Sequence, residues 1–185
     1  MAAESLVMRV FRSFAVLAVL LAIGLLAPAQ RDKRQPLTEA QLEKIREAGI
    51  YPDERIHLFA TFINEHVDAI KLYSAKGHSP SRTHRLDDEL LDVTALFDEL
   101  ASNLDQYGDR KADLRRSLKG LNKDAPLWLD ALNSLAPEPA FDLSRKEAIE
   151  SGRDLADQVA QMFKEQTAYF DTHKDERGQD RAEPK

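Results

Sequence analysis

The sequence predicts an all-α protein, an antiparallel up-down-up-down four-helix bundle with a short N-terminal helix laid across one end or side. Two observations carry that expectation. Apolar residues recur at steps of three and four through four segments of about 24 to 30 residues each. The 7 glycines and 8 prolines fall mostly between those segments, which leaves long uninterrupted stretches rather than many short strands. Short connections then favour antiparallel neighbours, and the sustained heptad rhythm favours coiled-coil-like packing.

Residues 1–29 read as a cleavable secretory signal. Arg9 and Arg12 precede the apolar run 14–27, interrupted only by Gly24, and Ala27-Pro28-Ala29 before Gln30 has the small-x-small form of a peptidase site. At 1.5 Å per residue that run reaches about 21 Å, short of a hydrocarbon core of roughly 30 Å, so cleavage is expected rather than an anchor. The expected address is periplasmic or extracellular, with no membrane insertion after cleavage. Residues 30–36 form a polar leader, 37–173 the helical bundle domain, and 174–185 a charged tail with no apolar anchor, expected to be disordered.

The first helix follows that leader. Thr38 and Gln41 make a capping box, Leu37 against Leu42 its hydrophobic staple, and Gly49 a C-terminal stop with Ile50 reaching Ile45. Pro52 suits the first turn of the second helix, in which Ile56, Phe59, Ile63, Val67 and Ile70 mark the buried face until Gly77 and Pro80. Leu86, Leu90, Val93, Phe97, Leu100, Leu104 and Tyr107 form a heptad seam in the third. Gly108 then suggests a tight corner, with Asp109 as the next cap.

Pro126 lies inside the fourth segment and would ordinarily end a helix. The apolar rhythm of Leu114, Leu118, Leu121, Ala125, Trp128, Leu132 and Leu135 keeps its phase across the proline, which predicts one kinked helix to about residue 136. Pro137 and Pro139 end it. Ser144 is the expected cap of the last helix, whose seam runs through Ile149, Gly152, Ala156, Val159, Phe163 and Phe170 to about residue 172.

Composition limits the function. With 43% apolar and 31% charged residues the chain is an ordinary soluble domain with one core. Without Arg9, Arg12 and Glu4 of the signal, 24 basic and 31 acidic side chains leave a formal charge of −7, which argues against a nucleic-acid partner. The absence of cysteine excludes disulfides, thiolate metal sites, a lipidated N-terminal cysteine and c-type haem attachment.

No residue nominates itself as catalytic, cofactor-binding or metal-binding. Glu54-x-x-His57 is the lone Glu-x-x-His pair, in the exposed first turn of its helix, whereas a di-iron bundle needs two such pairs and two more glutamates. No Gly-x-Ser-x-Gly elbow or phosphate loop is present. His66 falls near the middle of an apolar arc and should be partly buried, with Asp92 or Asp124 as its partner and the freed Asn122 carbonyl nearby, most simply as a polar layer that fixes register. Arg115, Arg116, Lys119 and Lys123 make a basic stripe on the fourth helix, while Asp87, Asp88, Asp92, Asp98 and Glu99 make the third acidic. Complementary faces of one hairpin are the simplest account.

Leu37-Thr38-Glu39-Ala40-Gln41 resembles the Leu-Thr-x-x-Gln motif of the Spy and CpxP family of periplasmic stress proteins. The resemblance covers five residues and implies an exported helical chaperone or metal-stress protein. That family usually carries the motif twice in a shallow cradled dimer, whereas this chain carries it once and has seams enough for a closed bundle. The expectation from the residues themselves is an exported non-enzymatic bundle, acting by binding or structural association with a protein or other envelope component. Its ligand and oligomeric state are not specified by the sequence.

Overall fold

The computed structural model describes residues 35–178; the expected signal at 1–29, most of the expected leader and residues 179–185 lie outside that range. Helix α1 spans Glu39–Glu47, α2 Pro52–Ser74, α3 Pro80–Asp109, α4 Arg115–Ser134 and α5 Asp142–Thr172, followed by a 3-10 turn at Lys174–Glu176. The described residues contain no strand.

Local sequence sets most boundaries. Thr38 Oγ1 accepts from the Gln41 amide at 3.3 Å while Gln41 Oε1 accepts from the Thr38 amide at 2.8 Å, so both halves of the predicted capping box form. Gly49 adopts the left-handed φ of +57° expected just past a helix end. Ile50 is 63% exposed, so the contact expected with Ile45 buries little. Pro52 and Pro80 both occupy first turns, where a missing amide costs nothing. Pro126 is contained within the single helix α4, as the unbroken rhythm predicts.

Two ends differ from the sequence reading. Gly108 and Asp109 belong to α3, and the corner falls at residues 110–114 instead. There Lys111 takes a positive φ of 57°, with its amide on the Gly108 carbonyl and the Ala112 amide on the Tyr107 carbonyl. Ser144 does not cap α5. It lies inside the first turn, buried, and its hydroxyl donates to Asp87 of α3.

Hydrogen bonds between helices give their directions. Trp128 Nε1 donates to Asn64 Oδ1 at 2.6 Å and the Ser117 hydroxyl donates to Asp53, two pairs with the same 64-residue offset, so α2 and α4 lie parallel. Ser144 to Asp87, Ser151 to Asp98 and Gln158 to the Ala101 carbonyl likewise make α3 and α5 parallel. Arg55 to Asn103, His66 to Glu89 and Arg82 to the Tyr73 carbonyl run the opposite way, so α2 and α3 are antiparallel. So are α4 and α5, joined at Leu114 and Gln166.

Consecutive helices therefore alternate in direction as predicted, yet α3 and α4 stand on a diagonal of the bundle. Their backbones do not come together, and they meet through core side chains such as Phe97 and Trp128, whose ring centroids are 5.8 Å apart. The corner at 110–114 crosses the end of the bundle to make this possible. Ala112 and Leu114 are buried beneath it, and Gln166 accepts from the Leu114 amide at 2.8 Å and donates to the Ala112 carbonyl at 3.0 Å.

The core is the one the heptads mark. Leu86, Leu90, Val93, Phe97, Leu100 and Leu104 of α3 are wholly buried, each contributing on the order of 1.5–3 kcal/mol relative to an exposed position. Gly152 permits the tightest approach: a Cβ there would meet Phe97 Cε2 at 3.0 Å and Leu129 Cδ2 at 3.1 Å. The tail assigned from residue 174 begins in an ordered turn. Polar anchors hold it, with Arg177 Nε donating to the Phe170 carbonyl at 2.7 Å and the Gly178 amide to Asp113 at 2.9 Å.

Gly152→Ala should lower stability by about 1–3 kcal/mol through overpacking, although alanine has the better helix propensity by roughly 1 kcal/mol. Urea unfolding of the variant checks this; an increase in stability would contradict the packing at that crossing.

Candidate functional site: a groove on the parallel seam

Because α2 and α4 are parallel and both begin at the same end, their first turns lie side by side. This seam is packed less extensively than the other three around the bundle, and near its start it opens into a groove of about 420 Å³, within the roughly 300–1,000 Å³ of small-molecule sites. Buried Ile56, Ala60 and Leu121 form its floor. Exposed Glu54 and His57 of α2 face Arg116 and Gly120 of α4, with Asp124 at the far end. The bond from Ser117 to Asp53 stitches the near end.

Gly120 is the unusual member. A glycine inside a helix costs about 0.5–1 kcal/mol relative to alanine, and packing normally accounts for it, as at Gly152. Gly120 is exposed and lines the groove, and a Cβ on it would meet no atom within 4 Å, so no packing contact requires its absence.

The sequence-predicted residues distribute differently from expectation. His66 is partly buried, but its Nδ1 meets Glu89 Oε2 at 2.7 Å, not Asp92 or Asp124. With the 64-residue offset of the parallel seam, Asp124 is level with Ala60, about 9 Å along the axis from His66. The sequence reading starts α4 near Asp109, which would set Asp124 level with His66; its observed start at Arg115 shifts the register. Asp124 lines the groove instead. Glu54 and His57 lie in an exposed first turn, as expected, and also border the groove. Among the described residues no three His, Asp or Glu side chains are grouped to hold a metal ion.

The basic stripe and the acidic α3 do not pair, since their helices stand on the diagonal. Asp87 and Asp98 accept from Ser144 and Ser151 of α5. Arg116, Lys119 and Lys123 are exposed, while Arg115 turns to Asp113 at 2.7 Å and lies over the Phe170 ring.

A second polar layer has no counterpart in the sequence reading. Asn103 is buried, donates to the Glu99 carbonyl at 2.7 Å, and accepts from Arg55 Nη2 at 3.3 Å and from the Tyr107 hydroxyl at 3.4 Å. Arg55 Nη1 also donates to the Ile45 carbonyl at 3.2 Å, which fastens the end of α1 to the bundle and places a cation at a helix C-terminus. Asn103 sits one position before Leu104 in the apolar seam. That is the only signal the sequence offers for its burial.

With the geometry in hand, comparison with known proteins adds no relative: no family model, no curated protein and no solved structure matches the chain. The five residues that resemble the Leu-Thr-x-x-Gln motif serve locally as the cap of α1. The exposed large apolar residues Ile50, Tyr51, Leu72, Leu127 and Leu143 are spread over the α1–α2 connection and three different helices.

Asp113 ties the last of the described residues to the corner. Its hydrogen bonds from Arg115 hold its carboxyl below the usual value, against the opposing effect of burial, and the Gly178 amide adds to the lowering. A lowered folded value means that this contribution is fully present above the unfolded carboxylate range and is lost as pH falls through the folded value. The Gly178 amide resonance should therefore titrate with a midpoint below the ordinary aspartate value. A midpoint at or above that value would contradict the pairing.

Proposed function

We propose that the chain is exported and acts in the cell envelope as a non-catalytic binding protein, taking its ligand in the groove between α2 and α4. Gly120 carries this reading. A helix-interior residue that costs stability and relieves no clash is accounted for by the space it leaves. The tripartite signal pattern of residues 1–29 supports export. Among the described residues no helix is long and apolar enough to cross a membrane. The groove walls carry charged and polar side chains over an apolar floor, which suits a polar rather than a wholly apolar ligand.

Two measurements test the two halves of the proposal. N-terminal sequencing of the protein from the envelope fraction should recover Gln30, and recovery of intact Met1 from the cytosol would contradict export. For the groove, Gly120→Ala should raise stability by about 0.5–1 kcal/mol. Gly120→Leu should fill the vacancy without loss of fold. A thermal-shift screen of amines, amino acids, sugars and nucleotides should find a ligand that stabilises the wild type and not Gly120→Leu. Equal response of the two proteins to every stabilising compound would rule the groove out.

A further inference from the structure

Two helix faces carry matched rows of opposite charge. On α4, Arg116, Lys119 and Lys123 are exposed, each about a turn from the next, and Leu127, 62% exposed, continues the row. On α5, Leu143, 68% exposed, opens a row that continues through Glu147, Glu150, Asp154 and Asp157. None of these charged side chains makes a hydrogen bond or ion pair among the described residues. Although α4 and α5 are neighbours, the rows look to different sides of the bundle. The α4 row runs beside Ser117 and Gly120, which border α2, and the α5 row beside Ser144, Ser151 and Gln158, which bond to α3.

The spacing of one row answers that of the other. Toward the C-terminus, α4 reads base, base, base, leucine at steps of 3, 4 and 4, and α5 reads leucine, acid, acid, acid at steps of 4, 3 and 4. Laid antiparallel, they set Leu127 on Leu143, Lys123 on Glu147 and Arg116 on Asp154, with Lys119 one residue, about 1.5 Å, from Glu150. We propose that the chain associates with a second copy of itself, the α4 row of one docking antiparallel on the α5 row of the other. The contact joins two different patches, so it is heterologous. Charge complementarity fixes its register, and the leucines fix its direction: docked parallel, Leu143 would meet Arg116 and Leu127 would meet Asp154. An anionic lipid surface would satisfy the basic row alone and leave both the acidic row and Leu143 without a role.

This surface is separate from the groove, whose lining includes neither Lys119, Lys123 nor any residue of α5. Sedimentation velocity of the purified protein should show association that grows between about 10 µM and 1 mM and weakens at about 1 M salt, where screening sets in within roughly 3 Å. Lys119→Glu with Lys123→Glu should weaken it about tenfold, and so should Glu147→Lys with Glu150→Lys, each pair of exposed charges being reversed against its partner. A mixture of the two variants should associate again, since each then presents the charges that the other lacks, with helical circular dichroism unchanged in both. A wild type that stays monomeric over this range, a variant that associates as the wild type does, or a mixture that stays monomeric would overturn the proposal. Binding of a monomeric wild type to phosphatidylglycerol vesicles, lost in Lys119→Glu with Lys123→Glu, would overturn it in favour of a lipid partner.

Discussion

The arrangement of this bundle depends on how the chain leaves α3. A connection of two or three residues would set α4 beside α3, with every seam antiparallel. The corner at 110–114 instead crosses the end of the bundle, buries Ala112 and Leu114 under itself, and borrows Gln166 to satisfy its backbone. With α4 delivered to the far side, α2 and α4 become parallel neighbours, and so do α3 and α5. Parallel seams set like ends of helix dipoles together, which is unfavourable. Asp53 in the first turn of α2, bonded to Ser117 in the first turn of α4, places a negative charge between the two N-termini where it offsets that cost.

The same geometry accounts for where side chains meet. On the α3–α5 seam, Asp87 and Asp98 face serines rather than bases, and the basic stripe of α4 is left to solvent. The least filled seam is the parallel one between α2 and α4, and the groove lies near its start. Two helix-interior glycines of the bundle, Gly120 in α4 and Gly152 in α5, show opposite logic. At Gly152 a Cβ would crowd the Phe97 ring and a Leu129 methyl, whereas at Gly120 it would meet no neighbour.

Periodicity made the helices legible. The capping box at Thr38 and Gln41, the proline starts, and the unbroken phase through Pro126 are all local signals, and each corresponds to an observed feature. Which helix faces which is not a local property. The apolar rhythm marks a buried face without naming its neighbour: the sequence points His66 to Asp92 or Asp124, and in the fold it meets Glu89. Leu114 continues the rhythm of α4 and so reads as helix, although it lies in the corner. Asn103 is hidden in the sequence by its polarity, since burial of its amide depends on Arg55 arriving from α2, while Tyr107 lies one turn on in the same helix. The groove is illegible for the same reason, since the walls opposite Gly120 come from α2.

Cross-linking tests the diagonal placement of α3 and α4 most directly, and the absence of native cysteine makes the reading clean. Asp98→Cys with Ser151→Cys places thiols across the parallel α3–α5 seam, while Glu99→Cys with Lys123→Cys places them where α3 and α4 would face each other in an all-antiparallel ring. A short bismaleimide should join the first pair within one chain and leave the second unjoined. Efficient intramolecular joining of the second pair, with none of the first, would contradict the crossing at 110–114 and with it the parallel seam that holds the groove.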